Sequence, residues 1–146
     1  MITLNYSIAI ETAPPVVWRN LWNDDSYRKW TSAFMEGSYA VSSWEEGEKI
    51  SFLTPDNNGM FAIIQTKDMN KQMTFKHQGE IKNGIEENKH WENATEGYHL
   101  SEIPGGTQLD VVLTMDETNK EYQGYFDEAF PKALGILKQL CEEEGK

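Results

Sequence analysis

Apolar and polar residues alternate from the start of the chain. Ile2, Leu4, Tyr6, Ile8 and Ile10 are interleaved with Thr3, Asn5, Ser7 and Ala9, the period-two pattern of a strand with one buried face. The period then lengthens. Val17, Trp18, Leu21 and Trp22 recur at helical spacing behind Thr12, a capping residue type, and Pro14-Pro15, which suit a first turn. A short helix is therefore expected to end near Asn23. Asp24 or Asp25 is placed to cap a second one that carries Tyr27 and Trp30 inward, and Gly37 ends that pattern.

Beyond Gly37, turn-forming residues divide the chain at Glu46-Gly47, 55–59, 69–71, Asn83-Gly84 and 104–106. The intervening runs, rich in β-branched and aromatic residues, predict strands over 39–44, 49–54, 60–67, 72–79, 98–102 and 107–115. Short turns between successive strands imply antiparallel pairing. The segment 80–96, polar except for Ile81, Ile85, Trp91 and Ala94, reads as a long excursion between strands. Tyr122, Phe126, Ala129, Phe130, Ala133, Leu137, Leu140 and Cys141 then recur at three and four, predicting a long amphipathic helix over 121–144. Pro131 lies inside it, where its ring removes a donor, so a kink or break is expected near the middle.

At 146 residues the chain suits one domain, 1–146, large enough to bury a core without disulfides or metal. Its formal charge of −11, from 24 acidic and 13 basic residues, argues against nucleic acid as a partner. The lone Cys141 excludes an intramolecular disulfide, and no apolar run approaches the length that crosses a bilayer. Together with the absence of a basic, apolar leader at the N-terminus, this predicts a cytoplasmic protein without membrane insertion, in which the sequons at Asn5 and Asn93 are accidental.

Several residue groups form an ordered set along nearly the whole chain. They are Ala13-Pro14 before Val17-Trp18 and Leu21-Trp22; Tyr27 and Trp30; Phe34 with Gly37-Ser38; Trp44 before Gly47 and Ile50-Ser51-Phe52; His77-Gln78-Gly79; Trp91; Tyr98-His99-Leu100; and Gly105-Gly106-Thr107 with Leu109 and Val111. In this order they resemble the SRPBCC (START/Bet v 1-like) superfamily, in the AHSA1-like branch named after the activator of Hsp90 ATPase homologue. The closing helix of that branch commonly carries a Gly-Trp pair where this chain has Phe130-Pro131.

The resemblance implies an α+β helix-grip fold. In it a curved antiparallel sheet of about six to seven strands wraps around a long C-terminal helix, two short helices follow the first strand, and an apolar cavity lies between sheet and helix. The superfamily includes lipid and hormone carriers, polyketide cyclases and aromatases, and co-chaperone domains, so the fold leaves function open. An Hsp90 interaction is not assumed.

Within that frame the chemistry-bearing residues are few. Alternation along 72–79 puts Met73, Phe75 and His77 on one face, which assigns His77 to the concave side. There it would orient a ligand or move a proton, or simply be paired with a neighbour such as Tyr98, as most buried polar groups are. Glu96 enters the strand that carries Tyr98, and a carboxylate beside an imidazole fixes its tautomer, the minimum for general acid/base work. His77 and Glu96 are thus the weak catalytic candidates. Trp30, Phe34, Phe52, Phe75, Trp91, Tyr98, Phe126 and Phe130 are spread over every element that faces inward. The same rings would serve a filled core, and the helix-grip architecture favours a cavity.

No metal or cofactor is expected: His77, His90 and His99 lack helical pairing, and there is neither a Gly-rich phosphate loop nor a Gly-x-Ser-x-Gly elbow. Cys141 reads as packed, and Glu45-Glu46, Glu86-Glu87 and 142–144 as solvated charge. The expected function is binding of a small hydrophobic or aromatic, lipid-like molecule. The alternatives are a polyketide cyclase or aromatase-like enzyme using His77, and a chaperone-associated or homodimeric interaction module.

Overall fold

The initial alternation becomes β1 (Ile2–Ile10), paired antiparallel with β8 (Gly106–Met115) from Ile2 opposite Met115 to Ile10 opposite Thr107. The computed structural model describes residues 1–144. After β1 come α1 (Pro14–Trp22) and α2 (Asp24–Trp30), with one turn of 3-10 helix over Thr31–Ala33. Thr12 does not cap α1. Ala13 holds that position without a side-chain bond, and the Thr12 carbonyl instead accepts the Thr107 hydroxyl at 2.7 Å.

The meander is built from β2 (Tyr39–Ser42), β3 (Lys49–Leu53), β4 (Gly59–Asp68), β5 (Gln72–Lys82), β6 (Ile85–Asn88), β7 (Thr95–Ile103) and β8. These strands and β1 form one curved sheet in the order β1-β8-β7-β5-β4-β3-β2, with β6 paired to β5 beside that path. The sheet has eight strands, more than the pattern predicts, because the excursion over 80–96 is partly ordered. β5 runs on to Lys82, Asn83 and Gly84 turn with φ of 53° and 80°, and β6 returns along β5. Two successive positive φ values make the two-residue hairpin turn whose twist matches its strands, and Asn-Gly is the pair that adopts it most readily.

Helix α3 (Tyr122–Glu144) lies against β1, α1 and α2. It is unbroken at Pro131, contrary to the expected break. Pro131 faces solvent, so water can satisfy the carbonyl of Asp127 that loses its helical donor. The acidic C-terminal end is not merely solvated either. Glu144 accepts hydrogen bonds from Arg19 and Asn20, each at 2.5 Å, and Glu142 accepts the Glu11 backbone N–H at 2.9 Å, which fastens α3 to α1 and to the exit from β1. Glu86 likewise meets Lys49 at 2.6 Å.

Ile10, Val17, Leu21, Leu109, Leu137 and Cys141 are essentially inaccessible and belong to one core cluster. Burying an aliphatic side chain of this kind is worth about 1.5–3 kcal/mol. None of them borders the cavity described next, so the fold has a filled region and an unfilled one.

Candidate ligand cavity

On β5 the side chains of Met73, Phe75 and His77 are buried at alternate positions. On β7, antiparallel to it, Glu96 stands opposite Phe75 and Tyr98 opposite Met73. Glu96 is therefore the diagonal neighbour of His77 on the same face, within reach of a long side chain. Its Oε1 lies 3.0 Å from His77 Nε2, and its Oε2 accepts the Tyr98 hydroxyl. The partner of His77 is thus Glu96, with Tyr98 attached to the far side of the same carboxylate. When Glu96 is ionised, Nε2 carries the hydrogen and donates it, which in a neutral ring leaves Nδ1 as the lone pair. Nδ1 is sealed from solvent and has no hydrogen-bond partner. The Phe52 ring lies 5.5 Å from the imidazole.

The phenols around this carboxylate are held neutral. Burial raises the pKa of Tyr98 well above 10.0, and the Glu96 charge and its hydrogen bond raise it further; Tyr27 is raised by burial first and then by Glu96. An ionised phenol would have to be desolvated beside an existing anion.

Between this face, the N-terminal half of α3, α2 and the 3-10 turn lies a cavity of about 420 Å³. Of the residues expected to form its walls, Trp30, Phe34, Phe52, His77, Trp91, Tyr98, Phe126 and Phe130 do line it, as does Glu96. Phe75 does not. It points inward as alternation requires, but its ring is fully buried among Trp22, Phe52 and Tyr98, with centroids 5.2 to 6.3 Å apart. Phe130 closes part of the wall by stacking on Tyr6 at 4.9 Å and meeting Phe34 edge-on at 4.8 Å. At the mouth the Tyr125 hydroxyl donates to the Phe34 carbonyl at 2.6 Å, tying α3 to the 3-10 turn.

Sequence reasoning missed Tyr27, Tyr39, Tyr122, Tyr125 and Glu80, all of which line the cavity. Tyr27 and Tyr122 follow the apolar patterns of α2 and α3 and were open to discovery. Glu80 was not, because strict alternation puts it on the opposite face from His77. The pairing passes from Phe61 opposite Gly79 to Ala62 opposite His77, so Gln78 is an extra residue in β5. Such a bulge re-aims the side chains that follow it, and Glu80 joins Met60, its partner on β4, at the cavity wall.

Elsewhere the surface offers less. A recess of about 410 Å³ beside α1, α2 and the end of α3 is lined mainly by polar side chains, of which Arg19 and Asn20 both donate to Glu144. Cys141 is buried, and burial, then Glu144 and Glu142, push its thiol up to about 12, which suppresses the nucleophilic thiolate. Among the described residues no three His, Cys, Asp or Glu side chains are grouped to hold a metal ion, and no helix is long and apolar enough to cross a membrane.

A curved sheet gripping one long helix around a ring-lined space defines a helix-grip protein. Solved structures of the same architecture cover almost the whole chain. The Aha1 dimer from Colwellia psychrerythraea is similar at a TM-score of 0.75 and 16% identity, over 97% of each chain. The AHSA1-like protein from Aeromonas hydrophila gives 0.68 and 14%, over 99% of this chain and 94% of its own. A protein from Mesorhizobium loti gives 0.77 and 15%, over 97% and 98%. The fold is therefore the helix grip that these AHSA1-like structures share. No protein-family model matches the chain, and no curated protein matches it.

Proposed function

We propose that this protein binds a small, largely apolar molecule in the cavity between α3 and the sheet. The observation that carries this reading is the unfilled volume of about 420 Å³, bordered by eleven aromatic side chains and floored by the His77–Glu96–Tyr98 group. Ligand sites commonly enclose about 300–1,000 Å³, with apolar walls and a few fixed polar groups. Interiors are otherwise close-packed, and lining atoms without neighbours forfeit dispersion contacts that a ligand would restore. Burying about 200 Å² of ligand surface at about 25 cal/mol per Å² supplies roughly 5 kcal/mol, from which the cost of immobilising the ligand is subtracted. An NMR titration against lipid and polyphenol libraries tests the proposal. Shifts confined to the cavity walls are expected, and a library without a binder would remove it.

The enzyme reading draws on the same imidazole and is less well supported. A general base must reach the proton it takes. Here Nε2 is engaged by Glu96 and Nδ1 is sealed, so base catalysis requires the ring to move first. Loss of a turnover in His77→Ala with fold and ligand affinity preserved would restore that reading. Self-association is favoured by a separate observation: Met35, Tyr122 and Tyr125 at the mouth are 53%, 44% and 46% exposed, and the similar Colwellia protein is described as a dimer. Sedimentation equilibrium separates monomer from dimer.

A further inference from the structure

We infer that the ligand carries a positive charge, an amine or quaternary ammonium group on an apolar body. This rests on the cavity being a binding site, as proposed above, and comes from the sign of what lines it. Two carboxylates, Glu80 and Glu96, reach the cavity, and no lysine or arginine does. Of the other sheet-side groups in the lining, the Tyr39 and Tyr98 phenols carry no positive charge, and His77 even as an imidazolium would leave the two acids in excess. A fatty acid or a phosphate would bury its anion beside Glu96 with no fixed cation to neutralise it, the arrangement that desolvation penalises most.

The aromatic walls act in the same direction. A ring presents a negative face, and several such faces around a small space favour a cation over a neutral group of equal size. Eleven of the lining side chains are aromatic. Glu96 is the natural counter-ion. Its side chain is 21% exposed, and its two oxygens accept one hydrogen bond each, from His77 and Tyr98. Each oxygen retains acceptor capacity. The neutral phenol does not discharge it.

Two cations touch lining residues from outside without reaching Glu96. Lys82, 68% exposed, lies 3.6 Å from Glu80, and Arg28, held by Asp24 at 2.9 Å, sits over the Tyr39 ring at 5.0 Å from its centroid. Neither occupies the interior, so the space beside Glu96 is left for a cation brought by the ligand.

The test uses three probes of matched length, phenylbutylamine, phenylbutanol and phenylbutyrate, titrated at neutral pH while the backbone and the Trp30 and Trp91 indole signals are followed by NMR. The amine is expected to bind about tenfold tighter than the alcohol, and phenylbutyrate more weakly than either. Glu96→Gln should bring the amine to within about threefold of the alcohol and leave the alcohol unchanged, whereas the exposed Glu102→Gln should alter neither. Alcohol binding as tightly as amine, phenylbutyrate binding best, or a Glu102→Gln effect equal to that of Glu96→Gln overturns the charge inference and leaves the cavity reading standing. If no probe moves the cavity signals, both fall. Should Glu96→Gln not fold, the ranking on the unaltered protein decides.

Discussion

Phe75 and Phe52 lie against each other, ring centroids 5.2 Å apart, yet only Phe52 borders the cavity. Truncating each to alanine therefore compares a ring inside a filled core with a ring on the edge of a void. Phe75 is 0% exposed and also meets Trp22 and Tyr98. Its removal opens a new hole that the surrounding rings cannot close, and Phe75→Ala is expected to cost about 3–5 kcal/mol. Phe52 is half-buried, with ring contacts to Phe75 and His77 and open space beyond. Phe52→Ala enlarges a cavity that already exists. If about half of some 200 Å² is lost from burial, about 25 cal/mol per Å² gives about 2.5 kcal/mol, and partial burial in the denatured chain trims this to about 1.5–2 kcal/mol. The two variants should thus differ by about 2 kcal/mol. Urea unfolding, with a slope of about 2 kcal/mol per M, would separate their midpoints by about 1 M. Equal losses would show that Phe52 is packed as tightly as Phe75, and the unfilled volume on which the binding proposal stands would be gone.

Other consequences are as open to measurement. The phenols of Tyr27 and Tyr98 titrate well above 10.0 when folded, so the folded chain keeps protons that the unfolded chain releases. Stability is then intact below about pH 10 and falls as pH rises further, by about 1.4 kcal/mol per unit for each phenol. Urea midpoints near pH 9 and pH 11 should show the fall, and Tyr98→Phe should make it shallower. A Cβ at Gly79 would sit 2.0 Å from the Glu87 carbonyl oxygen and 2.9 Å from the Asn88 Cα, so Gly79→Ala should cost about 1–3 kcal/mol. Hydrogen exchange should then speed up over 85–88 while the β5–β7 pairing stays protected. Cys141, buried and titrating at about 12, should react with a disulfide reagent at about pH 8 on the order of 100-fold more slowly in the folded chain than in urea. Comparable rates would show that the thiol is accessible.

The element order and the faces that His77 and Glu96 occupy follow from local pattern, because a strand's period of two fixes which face a side chain takes, whereas their meeting is set by the pairing of β5 with β7. Depth along that face is a tertiary property. Phe75 and His77 are two positions apart on one face, but one packs under Trp22 and the other reaches the cavity, and nothing in the alternation distinguishes them. β6 escaped for a different reason. All four of its residues, Ile85 included, are exposed, so no buried face wrote a period into the sequence and only the Asn83-Gly84 turn betrayed the hairpin. At Pro131 the local rule was sound but its cost was misjudged, since a missing donor on an exposed helix face is made good by solvent.

Glu80 is the case in which the pattern misleads outright, and it bears on function. Met60, Ala62 and Ile64 alternate regularly on β4, and their partners on β5 are Glu80, His77 and Phe75. The spacing between the first two of those partners is three residues where regular pairing needs two, so an odd separation brings both onto one face. Were β5 paired regularly through Gln78 instead of bulging there, the cavity would keep His77 and Glu96 but lose its second carboxylate to the outer surface. The charge proposed to select the ligand is thus set partly by a single bulge, because a bulge changes which side chains line a site without changing the fold that encloses it.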